Sequence, residues 1–407
     1  MTKACYVGVA GKARKVKKIY VGVADKARKV KKAYIGVGGK ARPFFSAEAK
    51  LSYYGTATEL SEERPCLAAT TVGNYGLFGG GGDGTFFYSA VVDAYSPTLV
   101  RSTPTELSEG KYDLAATTVG AYGLFGGGFS SYGGEDSVTG TVDAYSATLV
   151  RSTPGSLNTE RQGLAATTVG NYGLFGGGHS FGSESAIVDA YDATLVHSTH
   201  TPLSEARGYL AATTVGGYAL FGGGSRNFAG AILRVDAYSA SLVRSSAPNL
   251  IEGSSVLAAT TVGNFGVFGG GQGVGDYWPL VVAYSPSLVQ TRLDDLSQPR
   301  YSSAATTVGG YALFGGGVGS AYFATVDAYS ASLVHSTPTP LSEDRKGLAA
   351  TTVGDYALFG GGKNSTNDYS STVDAYTVEG GGSKPSNPDP DDPNIKYPGG
   401  SWPDKTP

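Results

Sequence analysis

Apolar and polar positions alternate in short runs along most of this chain, and glycine separates the runs. Alternation over so few residues predicts half-buried strands, and few stretches are rich enough in helix formers to compete. The runs also repeat. The phrase AATTVG begins at Ala68, Ala115, Ala165, Ala211, Ala258, Ala304 and Ala349, with spacings of 47, 50, 46, 47, 46 and 45 residues. Each unit reads as four strands: LAATTVG, then YGLFGGG, then a variable stretch ending in VDAY, then TLVRST, which leads through LSEER into the next unit. Four short strands per period of about 40–50 residues predict one blade of a β-propeller, so the fold class is all-β and the count predicts a seven-bladed β-propeller.

The residue types fit that plan. A strand nearest the propeller axis is crowded by its counterparts, which suits the Ala and Thr of LAATTVG. Tyr75, Leu77 and Phe78 supply faces that pack between sheets, and the glycines after Phe78 permit a close backbone approach. The seventh unit stops after Val373–Tyr376 without a fourth strand, while Leu51–Ser61 precedes the first unit and aligns with the missing piece. A strand at 51–57 is therefore expected to complete the last blade, close a domain spanning 46–376, and leave no open edge.

Two further segments flank this domain. Residues 1–45 repeat YVGVAGKARKVKKI with a period of 14, from Tyr6, Tyr20 and, truncated, Tyr34. This predicts hairpins that turn at Ala10-Gly11, Ala24-Asp25 and Gly38-Gly39, with basic strands centred on Val16 and Val30. Such hairpins have little core and need a partner. Residues 377–407 are rich in Pro and Gly and read as a disordered tail.

Charge divides the chain in the same way. Residues 1–42 hold thirteen Lys or Arg against Asp25, a charge of +12, so the overall charge of −3 leaves −15 elsewhere. Arg14, Lys15, Lys17, Lys18, Arg28, Lys29, Lys31 and Lys32 are the candidate anchor. No aromatic residue interleaves KARKVKK, which favours docking on another protein over nucleic acid. Cys5 and Cys66 fit neither a metal spacing nor a disulfide framework. His179, His197, His200 and His335 form no metal-ligand spacing, and His197 and His335 occupy the position of Arg101, Arg151 and Arg244, which reads as a solvated strand position. The expectation is a non-enzyme with no cofactor and no metal. No apolar run has the length of a signal peptide or membrane span, so synthesis in a bacterial cytoplasm is expected.

Arg64, Arg161, Arg207, Arg300 and Arg345 before the first strand, the glycine run after the second, and Tyr95, Tyr145, Tyr191 and Tyr238 in the third resemble the kelch repeat. The pattern departs at Lys111 and Ser254, which replace Arg, at Val282, which replaces Asp, and on the fourth strand, where Val or a neighbour stands in place of Trp. The basic YVGV repeats followed by kelch-like units also look like virion structural proteins of phages and prophages of Gram-positive bacteria. That resemblance implies a virion-associated structural or adhesion role, on a tail or fibre more than a head, in several copies, with residues 1–45 bound to other virion proteins.

The seven copies differ mainly in two places: between the glycines and VDAY, and directly after the Arg position. In kelch-like propellers both open on one face. The candidate ligand-binding face comprises Phe86, Phe87, Tyr88, Tyr112, Phe129, Tyr132, Phe181, Tyr209, Phe228, Tyr277, Trp278, Tyr301, Tyr322, Phe323 and Tyr369. Aromatic rings among Ser, Gly and Asn suit an adaptable recognition surface, here for host-surface glycan or protein, though rings also pack loops. Three alternatives stand beside this reading: a decoration protein without receptor binding, a polyanion-binding protein acting through residues 1–45, and a glycan-processing enzyme.

Overall fold

In the computed structural model, the described residues are six strands of the head (Tyr6–Val9, Lys12–Lys15, Tyr20–Val23, Lys26–Lys29, Lys32–Val37 and Lys40–Ser46) and residues 50–379 apart from 83–87, 133–134 and 227–229. Leu51–Val378 is one compact unit. It contains seven four-stranded antiparallel sheets, the blades of a β-propeller, numbered here in chain order. Their inner strands are Ala68–Val72, Ala115–Val119, Ala165–Val169, Ala211–Val215, Ala258–Val262, Ala304–Val308 and Ala349–Val353. In blade seven the outermost strand is Lys50–Thr56, hydrogen bonded beside Val373–Glu379, so the start of the unit supplies the strand its end lacks.

The head strands pair as three hairpins, with Tyr6 opposite Lys15, Tyr20 opposite Lys29 and Val37 opposite Lys40. The described basic strands are Lys12–Lys15 and Lys26–Lys29, and Val16, Val30 and the three expected turns lie outside the described residues. With Val9 paired to Lys12, a four-residue first strand finds its last partner at Lys15. Lys17, Lys18 and Lys31, and the tail from residue 380, lie outside the described residues.

The core lies between neighbouring blades. Phe78 and Tyr95 are fully buried and pack edge-on, with ring centroids 5.8 Å apart, against Leu358, Val373 and Ala375 of blade seven. Leu77 and Val92 of the same blade pack on Phe125 and Tyr145 of blade two. Gly79 makes this possible, because a Cβ there would lie 2.8 Å from the Phe125 ring. Removing one such buried ring typically costs about 3–5 kcal/mol.

The repeated Thr pair has its own task. Thr118 Oγ1 donates to the Thr71 carbonyl at 2.5 Å, so its single proton is used, and Thr70 Oγ1 is the donor in the 2.9 Å contact with Thr118 Oγ1. The same bonds recur from blade to blade and close where Thr71 Oγ1 donates to the Thr352 carbonyl at 2.8 Å. A closed ring of hydroxyls therefore ties all seven inner strands, and valine, which has the same shape, cannot supply it.

The fourth strand is shorter than TLVRST suggests. In blade one it is Arg101–Ser102, and Thr98–Val100 belong to the turn. Leu99 is left-handed there (φ 60°), its N–H donates to the Ser96 carbonyl at 2.9 Å, and its side chain is buried. A left-handed non-glycine residue costs about 1–3 kcal/mol, and burial of a leucine offsets about as much.

Candidate functional site

Below the variable loops sits a set of buried charges. Arg64, fully buried, donates to Asp93 Oδ2 at 2.7 Å, while Asp93 Oδ1 accepts from the Ser61 N–H at 3.1 Å and from Arg101 at 3.0 Å. Three donors on one buried carboxylate are what a charge at zero exposure requires. Blade two makes the same clamp with Lys111, Asp143 and Arg151, and blade four with Arg207, Asp236 and Arg244. In blades three and six, His197 and His335 take the third place at 2.7 Å from Asp189 and Asp327. The two histidines are therefore not merely solvated: each also lies against a buried tyrosine, Tyr191 or Tyr329, because a strand position opposite a buried carboxylate selects a donor. The arginines are committed to these clamps.

Blade five lacks the whole set. Ser254, Val282 and Gln290 stand at the three positions, and Ser254 Oγ donates to the Gly270 carbonyl at 2.9 Å. A cavity of about 20 Å³ remains beside Ser254, Phe268, Trp278 and Val282. The Trp278 indole N–H donates to the Gly253 carbonyl at 3.0 Å and its side chain covers that gap. Polar and charged partners were replaced together, which leaves no unpaired ion.

Around the axis on the variable side, one residue per blade closes a second ring. Cys66 N–H donates to Gly347 O, Asp113 to Cys66, Gly163 to Asp113, Tyr209 to Gly163, Val256 to Tyr209, Ser302 to Val256 and Gly347 to Ser302, at 2.7–3.1 Å. All seven are left-handed, with φ between 51° and 63°. Within this ring the Cys66 and Asp113 side chains are hydrogen bonded to each other. A Cβ at Gly163 would lie 3.2 Å from the Tyr209 ring, so Tyr209 lies across the space glycine leaves. Burial pushes the Asp113 carboxyl up to about 6, against the lowering effect of its hydrogen bond with Cys66.

Directly outside this ring, every blade carries one rung of three paired residues at equivalent register: Pro65–Gly82–Tyr88, Tyr112–Phe129–Val138, Gln162–His179–Glu184, Gly208–Ser225–Ala231, Ser255–Gln272–Tyr277, Tyr301–Val318–Tyr322 and Lys346–Lys363–Tyr369. The first member follows the Arg position and the second follows the glycine run, so the two variable stretches of sequence meet on one face. No two rungs share a composition. The frame beneath them is nearly constant.

The predicted aromatic residues divide on this geometry. Tyr88, Tyr112, Phe129, Tyr277, Tyr301, Tyr322 and Tyr369 are rung residues. Tyr88, Tyr112 and Phe129 cluster with centroids 5.6–6.4 Å apart, Phe181 stands exposed 6.5 Å from Phe129, and Tyr277 stacks on Tyr301 at 5.3 Å. Lys346 lies over Tyr322 and Lys363 over Tyr369, each at 5.4 Å. Trp278 and Phe323 do not join the rungs. Alternation along the strand turns them the opposite way from Tyr277 and Tyr322, into the place held by buried Ser89 and Ser370 in other blades. Tyr209 belongs to the axial ring. Tyr132 ends the strand Phe129–Tyr132, and Phe86, Phe87 and Phe228 lie outside the described residues.

The sequence reading placed Ser225, Ala231, Ser255 and Gln272 in its two variable stretches but left them out of its candidate face, because it selected rings. The usable signal was positional: the residue after each glycine run and the residue after each Arg position. Among the described residues, no group of three or more His, Cys, Asp or Glu is placed to hold a metal ion, and no helix is long and apolar enough to cross a membrane.

No protein-family model and no curated protein matches the chain. Solved structures do match it. One titled "Structure of YjhT" aligns over 79% of this chain and 99% of its own, with a TM-score of 0.53 and 10% identity. That is a likeness of fold, and 495 solved chains match this chain overall, which leaves the choice of function to the site.

Proposed function

We propose that this chain is a virion-associated adhesion protein of a phage or prophage, anchored by residues 1–45 on another particle protein and binding a host-surface glycan or protein through its propeller face. The virion setting comes from the sequence resemblance; the binding role rests on one observation of its own. Seven equivalent rungs differ in every copy while the clamps and rings below them repeat. Rigid scaffolds that carry variable Tyr-, Ser- and Gly-rich surfaces serve recognition.

Gold-labelled antibody against the propeller, viewed on particles by electron microscopy, tests the reading. Label at the tail tip or fibres agrees with it. Label on the head favours decoration, and particles without label overturn the virion role.

A further inference from the structure

Between blades four and five the variable face opens into a cavity of about 480 Å³, within the range of about 300–1,000 Å³ typical of small-molecule sites. Its origin can be read from the rungs. The last member of one rung faces the first member of the next: Tyr88 meets Tyr112, Tyr277 meets Tyr301 and Tyr322 meets Lys346. At the fourth junction the pair is Ala231 and Ser255, and blade four's rung, Gly208–Ser225–Ala231, has the smallest side chains of the seven. Among the described residues, the space that rings fill at those three junctions is left open here.

The lining decides the chemistry. Ser225, Ser255 and Gln272 offer neutral donors and acceptors, the glycines expose backbone, Tyr209, Val256 and Val274 add apolar surface, and among the described residues no Asp, Glu, Lys, Arg or His lines the cavity. Such a wall satisfies hydroxyls and amides and pays no charge any compensation. We infer that this pocket binds a neutral saccharide unit, which names the ligand class and subsite for the adhesion reading and rests on it. A charged ligand would need a charged partner, and the described lining provides none.

Ala231 supplies the test. Tyrosine holds the register of Ala231 in blades one, five, six and seven (Tyr88, Tyr277, Tyr322 and Tyr369), so Ala231→Tyr places a ring in the open junction on a frame that carries one elsewhere. The full chain is titrated with the methyl glycosides of glucose, galactose, rhamnose and N-acetylglucosamine, and with methyl glucuronide, glucosamine and inorganic phosphate, by saturation-transfer NMR. A neutral glycoside is expected to bind, with loss of about tenfold or more in Ala231→Tyr, a smaller loss in Gln272→Ala and none in Val100→Ala, an exposed position in the blade-one turn away from the rungs. Undiminished binding by Ala231→Tyr, preference for a charged probe, or no neutral glycoside bound overturns the inference. Host-cell adhesion by the parent, measured alongside, separates the two claims: adhesion without glycoside binding removes the pocket alone, whereas a parent that neither adheres nor binds removes the adhesion reading as well.

Discussion

The hydroxyl of Tyr53 donates to Asp374 Oδ1 at 2.7 Å, across 321 residues of chain. It takes the place that Arg101 holds against Asp93 in blade one, because in blade seven the fourth strand comes from the start of the unit. One side chain thus carries both the clamp and the closure of the ring. Tyr53→Phe is expected to lower stability by about 1–3 kcal/mol in urea unfolding, the cost of removing a donor from a buried carboxylate. Burial and then Asp374 push the Tyr53 hydroxyl up to about 12. A raised folded-state value gives stability that is complete below the unfolded value near 10 and is lost as pH rises through 12, so the gap between parent and Tyr53→Phe should narrow over that window.

The clamps predict strong coupling. Arg161→Ser or Asp189→Val alone leaves a buried charge without its partner, at about 3–5 kcal/mol. The double variant copies what blade five does with Ser254 and Val282, and should lose less than the sum of the two single variants. Chemical denaturation of all four proteins measures this directly; additive losses would mean the pair is not coupled.

At the axial mouth, Asp113 has the opposite sign from an ordinary carboxylate. Its value is raised to about 6 by burial, so its contribution is present below the unfolded value near 3.8 and lost as pH rises through 6. Asp113→Asn, which suits the left-handed backbone at φ 51°, should gain in melting temperature relative to the parent as pH goes from 4 to 7. A difference that is flat with pH would contradict this assignment.

Gly80 combines φ 70° with a backbone carbonyl, that of Lys111, only 2.6 Å from where a Cβ would sit. Gly80→Ala should therefore cost at least the 1–3 kcal/mol typical of such strain, and more than a substitution at an open glycine such as Gly217. Thermal melts of the two variants compare them.

Much of the frame was legible because repetition exposes it: the Ala-Thr inner strand, the glycine beside the next blade's Phe, and the missing fourth strand each follow from period and residue size. The clamps were half legible. Arg64 and Asp93 recur visibly, but their pairing lies 29 residues apart in sequence and needs the third strand, paired with the second, to bring Asp93 back to the segment that precedes the first. Tyr53 was hidden, since nothing local marks a tyrosine as the substitute for an arginine. On the variable face, ring-bearing residues drew attention, yet alternation placed Trp278 and Phe323 inward, and the cavity belongs to residues notable only for being small.

The central claim is that the constant frame exists to hold a variable recognition face. The most direct measurement is binding of the labelled protein to host cells, compared with a variant carrying Phe181→Ser, Val274→Ser, Tyr277→Ser and Tyr322→Ser, positions that are exposed or half-buried on that face. The account predicts a variant that stays folded at the assay temperature and loses binding by about tenfold or more. A folded variant that binds cells as the parent does would contradict it.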